Sequence, residues 1–186
     1  MNILQMLALV LVASACRHAD ATLAAMASPP DATPFRFGAW TGDIDDLRDP
    51  SDVAIASDGT ILVVDTDRNR VVRYRLENGK PVPSGAFGEL GAAPGAFRYP
   101  RGIAVGLNGR ILVADAGNDR VQIFDPDGGL LGGFGSRGRE PGQFNNPTGV
   151  AVDATGICVA DTGNDRVQLF DSEGKFLRSF GGPGGT

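Results

Sequence analysis

Aspartate and arginine recur in this sequence at one fixed spacing: Asp65 with Arg70, Asp115 with Arg120, and Asp161 with Arg166. A carboxylate and a guanidinium five residues apart could act as an acid with its cationic partner. Each pair, however, sits in the same local text. Ile111-Leu112-Val113-Ala114-Asp115-Ala116-Gly117-Asn118-Asp119-Arg120-Val121-Gln122-Ile123-Phe124-Asp125 is nearly repeated at Ile157 to Asp171, and in a more drifted form at Ile61 to Tyr74. A site is normally built once, and these groups are built three times. They are therefore read as structural. The aspartate ends a strand and accepts the N–H groups of the turn that follows. The arginine opens the next strand and pairs with a carboxylate of a neighbouring turn.

Other chemistry-bearing residues are few. His18 is the single histidine, and the cysteines are Cys16 and Cys158. Cys158 aligns with Leu62 and Leu112, a core strand position in which a thiol is buried and inert. From Phe35 onward there is no histidine and no second cysteine, so a Cys–His pair, a Ser–His–Asp triad and a histidine-bearing metal site are all unavailable. Gly132-Gly133-Phe134-Gly135 is not followed by a helix and is no phosphate loop. The expectation is no catalytic residue, no metal site and no cofactor, with a hard cation held by oxygens alone left open.

Elements that could position such residues are short strands. The 186 residues include 27 glycines and 12 prolines, which suits many strands joined by turns. The net charge is −5 and the pI is near 4.8, which argues against a nucleic-acid partner.

Ile3 to Ala15 is an apolar run too short to span a membrane, and it ends in the small residues Ala13-Ser14-Ala15. This is the pattern of an export signal, residues 1–16. Cys16, directly after it, resembles the lipidated cysteine of bacterial lipoproteins, which implies a lipid anchor to a membrane. Cleavage after Ala15, or after Ala19-Asp20-Ala21, is the alternative. Residues 17–34 are rich in alanine and end in prolines, as a linker does.

Pro50, Pro100 and Pro147 open three units at spacings of 50 and 47 residues. Each unit holds four strand-like segments separated by turns such as Asn108-Gly109 and Asp127-Gly128. The expected fold is all-β: a β-propeller of four-stranded antiparallel blades at about 50–88, 100–135 and 147–181, within a domain spanning 35–186. Pro-x-Gly-Ile-Ala-Val, Ile-Leu-Val-Ala-Asp-x-Gly-Asn-Asp-Arg-Val-Gln-Ile-Phe-Asp and Gly-Phe-Gly together resemble the NHL repeat. Unit one departs from the pattern, with Asp52 in place of Gly102 and Gly149, and Asp67-Arg68-Asn69-Arg70 in its turn. The resemblance implies a six-bladed ring, of which the three units make half.

Phe35-Arg36-Phe37-Gly38 aligns with Phe87-Gly88, Phe134-Gly135 and Phe180-Gly181, as a fourth strand without its own first three. Two readings follow: a shortened propeller whose missing blades lie C-terminal, or a homodimer in which two halves complete six blades.

The copies disagree at the residue after each opening proline: Ser51, Arg101 and Thr148. These enter the innermost strand and should ring one mouth of the central channel, where propellers commonly bind ligands. They are the candidate binding residues. The functional expectation is a non-catalytic binding or scaffold module of the cell envelope, periplasmic or at the cell surface, with a protein or small-molecule partner. The alternative is a truncated relative of six-bladed propeller lyases or lactone hydrolases.

Overall fold

A computed structural model describes residues 47–106 and 108–182. The expected signal (1–16), the linker (17–34), Cys16 and the Phe35–Gly38 segment lie outside the described residues. Three sheets account for the strands described. The first holds β1 (Pro50–Ile55), β2 (Ile61–Asp65), β3 (Arg70–Glu77) and β4 (Lys80–Phe87). The second holds β5 (Pro100–Val105), β6 (Ile111–Asp115), β7 (Arg120–Phe124) and β8 (Leu130–Phe134). The third holds β9 (Pro147–Asp153), β10 (Gly156–Asp161), β11 (Arg166–Phe170) and β12 (Phe176–Gly181). Each sheet is antiparallel and runs in chain order, and β1, β5 and β9 lie beside one another as the inner strands of successive blades.

The period-two alternation of the strands gives each blade two apolar faces. Leu62, Val64 and Val71 of blade one meet Ile103, Ile111, Val113 and Phe124 of blade two. Leu112 and Val121 of blade two meet Ile157, Val159 and Phe170 of blade three. Aromatic residues close each interface. Phe87, Phe97 and Phe124 pack with ring centroids 4.9–6.3 Å apart, and Phe134, Phe144 and Phe170 do the same at 4.7–6.1 Å.

The outward face of blade three departs from the pattern, and one sequence expectation, the burial of Cys158, changes there. Phe180, the counterpart of Phe87 and Phe134, is 54% exposed. Cys158 is half-buried and not fully buried, because the face that Leu62 and Leu112 turn toward the next blade here turns away from blade two. Unit one, at a spacing of 50 residues against 47, carries three extra residues, which fall in its last hairpin. They lengthen β3 and β4 to eight residues each, around an Asn78-Gly79 turn with φ of 53° and 77°.

Candidate functional site

The repeated aspartates are the hub of each blade. Asp65, Asp115 and Asp161 are fully buried. In blade two, Asp115 Oδ2 accepts Arg120 Nε at 2.8 Å, Asn118 Nδ2 at 2.9 Å and Gln122 Nε2 at 3.1 Å. Asp161 repeats this with Arg166, Asn164 and Gln168 at 2.7, 2.9 and 3.1 Å. Asp65 keeps the arginine, with Arg70 Nε at 2.8 Å.

The pairing corrects the expectation of a neighbouring turn. Each arginine lies directly across its own hairpin from its aspartate, in the register Asp115↔Arg120 and Asp161↔Arg166. Nor do the carboxylates cap the turns. Their other oxygen accepts the backbone N–H of the segment entering the blade: Arg48, Arg98 and Asn145, each at 2.7 Å. The turns find their acceptors in that same segment, for Gly117 N and Gly163 N donate to the carbonyls of Arg98 and Asn145 at 2.8 Å. The approach is so close that a Cβ on Gly117 would stand 2.8 Å from the Arg98 carbonyl oxygen. Unit one has Asp67 there, and its bond to Arg48 O is longer, at 3.2 Å.

Guanidinium and amide groups complete the clamp. Arg120 Nη2 donates to Ala93 O and Ala96 O, and Gln122 Nε2 to Ala96 O. Asn118, Arg120 and Gln122 thus tie the linker to the hairpin. An acid saturated by four donors and shut from solvent has no proton or lone pair to offer a substrate.

The residues after the opening prolines lie on a rim at the starts of β1, β5 and β9. Ser51 Oγ donates to Arg101 O at 2.7 Å, across blades one and two, and lies 2.8 Å from Thr66 Oγ1. Thr148 and Thr162 share a hydroxyl–hydroxyl bond at the equivalent place in blade three. Arg101 is exposed, with Nη1 3.6 Å from the Asp49 carboxylate of blade one. Thr66, Thr162 and Asp49 are rim residues that sequence reasoning passed over. The signal was present: the residue after each hub aspartate is Thr, Ala and Thr, and the hydroxyl is missing only where Arg101 replaces Ser51 and Thr148.

Asp52 is a second residue missed as a feature. Its Oδ1 accepts Val53 N at 2.8 Å and its Oδ2 accepts Ile103 N at 2.9 Å, so it bridges the inner strands of two blades. Burial pushes its pKa above the ordinary carboxylate value, against the lowering effect of those two N–H groups. At Gly102, the matching position, β9 leaves no space: a Cβ would stand 2.7 Å from Thr148 O.

Among the described residues no three His, Cys, Asp or Glu side chains converge as metal ligands. A cavity of about 420 Å³ lies between blades one and two at the opposite end of the strands from the rim, beside Asp58, Thr60 and Asn108. No described helix is long and apolar enough to cross a membrane.

Four-stranded antiparallel blades with adjacent inner strands are a partial β-propeller. A virginiamycin B lyase from Staphylococcus aureus, in a catalytically inactive histidine-to-alanine form with quinupristin, superposes with a TM-score of 0.55 at 18% identity, covering 73% of this chain and 42% of that one. At that identity the likeness is one of fold. The blades themselves are NHL repeats, matched at residues 47–74, 97–124 and 144–170, and the chain is an NHL-repeat protein. It is 32% identical over 83 residues to human NHL repeat-containing protein 3, covering 43% of this chain and 23% of that protein. It is 50% identical over 42 residues to the Drosophila melanogaster protein brain tumor, covering 23% and 4%. The chain therefore spans less than a quarter of these curated relatives.

Proposed function

We propose that this chain is a non-catalytic binding module of the cell envelope whose contact surface is the rim of Ser51, Arg101 and Thr148. The observation behind this reading is the contrast between copies. Hub residues repeat from blade to blade, whereas the rim position changes each time and is exposed at Arg101. A guanidinium flanked by hydroxyls suits an anionic or hydroxylated ligand, such as an acidic peptide segment or a carboxylated sugar. The signal-like Ile3–Ala15 run supports export, and Cys16 supports a lipid anchor that would hold the blades at a membrane surface.

The lyase or lactone-hydrolase alternative rests on likeness of fold. The lyase above is inactive in its histidine-to-alanine form. Here His18 is the single histidine of the sequence and precedes the blades. The binding reading is tested by probing arrays of acidic peptides and carboxylated glycans with the protein and with an Arg101→Ala/Ser51→Ala variant. A set of probes held by the first and released by the second is expected. Equal retention by both would sink the rim as the contact surface. Export and anchoring are tested by fractionation: Cys16→Ser should release the protein from the membrane fraction.

A further inference from the structure

We propose that the outward face of blade three docks onto blade one of a second copy of this chain, head to tail, so that two copies share six blades. The junctions between blades one and two and between two and three share a hydrogen bond and an apolar contact, each junction adds a feature of its own, and among the described residues blade three and the strip at 47–51 carry counterparts left unmatched.

The first part is a hydrogen bond. Short 3-10 turns end in Asn69, Asp119 and Asp165, all left-handed at φ 53–55°. Asn and Asp tolerate that conformation, and they bring a side-chain oxygen. Asn69 Oδ1 accepts Tyr99 N at 2.8 Å, and Asp119 Oδ1 accepts Asn146 N at 2.7 Å. Among the described residues the Asp165 carboxylate accepts no such bond, and neither does the N–H of Asp49 donate one. Asp49 precedes Pro50 as Tyr99 and Asn146 precede Pro100 and Pro147, with the same left-handed backbone at φ 49° against 46° and 53°.

The second part is apolar. Pro100 and Pro147 are buried by the blade before them, whereas Pro50 is only half-buried. Phe97 and Phe144, three residues ahead of those prolines, are fully buried against Phe87 and Phe134. Their counterpart Leu47 is half-buried, and Phe180, counterpart of Phe87 and Phe134, is 54% exposed. Space marks the second junction alone, since Asp52 occupies the matching place in the first. At Gly102 the next blade excludes a Cβ, but at Gly149 the nearest neighbour is Ala160 of its own blade, at 3.3 Å. Around Gly149 the register lines up Ala160, Val167 and Phe180 in one row, with Cys158 and Leu169 in the next. The rim marks the first junction alone, Ala116 having no hydroxyl in the second: Thr66 Oγ1 donates to Pro100 O at 2.8 Å, and Thr162 is placed to do the same to Pro50 O of the second copy.

Val72 and Tyr74, on the receiving side of blade one, are already buried. The second copy would therefore seat on the strip from Leu47 to Ser51. Such a head-to-tail contact closes when its rotation completes a turn, and two copies then make a pair with two identical junctions. The proposed rim would in that pair hold two sets of Ser51, Arg101 and Thr148.

The test is the mass of the full chain in solution as a function of concentration. A species of twice 19.3 kDa is expected, with dissociation at least tenfold easier in Phe180→Asp, whose side chain is already exposed. In a Cys16→Ser/Cys158→Ser background, Asp49→Cys together with Asp165→Cys should form a 49–165 disulfide between chains under mild oxidation. A mass of one chain at every concentration overturns the proposal. Cross-linking of Asp165→Cys to itself, the mark of two third blades face to face, overturns it as well.

Discussion

The hub at Asp115 and the rim at Arg101 lie within one blade, yet they follow opposite rules. The Asp115 carboxylate is fully buried and met by four donors, and the arrangement recurs at Asp161. The rim is open to solvent, its one ion pair is loose at 3.6 Å, and it changes from copy to copy. The difference separates polar residues spent on the fold from those left to meet something else. A buried carboxylate is stable only when saturated, and saturation removes it from chemistry.

This contrast is most easily broken at the hub. Asp115→Ala leaves the Arg120 guanidinium, the Arg98 N–H and the Gln122 amide without their acceptor, and loss of one partner from a buried pair costs about 3–5 kcal/mol. Urea unfolding should show a loss of this size, or no cooperative transition at all. If the loss were under about 1 kcal/mol, the hub would not be structural. Gly102→Ala comes next. Its Cβ would press on Thr148 O at 2.7 Å, and overpacking of this kind costs about 1–3 kcal/mol. In the dissociated single chain the same change at Gly149 should cost visibly less, since its nearest contact there is 3.3 Å. That ordering, read from the two melting curves, sharpens the distinction between a covered and an uncovered face.

Gln122→Ala removes the bonds to Ala96 O and to the Gly95 N–H, for about 1 kcal/mol or somewhat more. At the rim, Arg101→Ala should change stability by less than about 0.5 kcal/mol, because an exposed pair is screened and worth little. A large loss there would merge rim with hub and remove the basis for reading it as a contact surface.

The smallest effect belongs to Asp52. Its folded pKa lies above the ordinary value of 3.8, so between the two the folded state holds more proton than the unfolded chain. The contribution of this residue to stability is therefore greatest below 3.8 and is lost as pH rises through the raised value. Unfolding free energy followed against pH should show that decline in the native protein. Asp52→Asn should flatten it, and an unchanged slope would show that burial of this carboxylate is not felt.

Much of this was legible in the text of the chain. The period of the copies and the Asn-Gly and Asp-Gly turns identified four-stranded blades, because turn chemistry and strand alternation are local properties. The structural standing of Asp65, Asp115 and Asp161 was legible as well, since they recur. Their partners were not. A carboxylate at a strand end has a turn on one side and empty sequence space on the other. Only the folded chain shows the entering segment, 16–17 residues upstream, laid against it. Cys158 shows the same limit: alignment gave it the place of Leu62 and Leu112, but a blade has two faces, and what covers the outer one is not written in the blade.

The sequence by itself therefore determined the kind of blade, the number of copies present and the division between repeated and varied positions. Those follow from periodicity and from backbone preferences that act over a few residues. Tertiary structure decided which atoms satisfy each buried carboxylate, that Asp52 bridges β1 and β5, and that Leu47, Asp49, Asp165 and Phe180 hold the positions whose counterparts meet at the junctions between blades. These depend on which backbone lies within 3 Å of which side chain, and that is fixed only when whole blades pack.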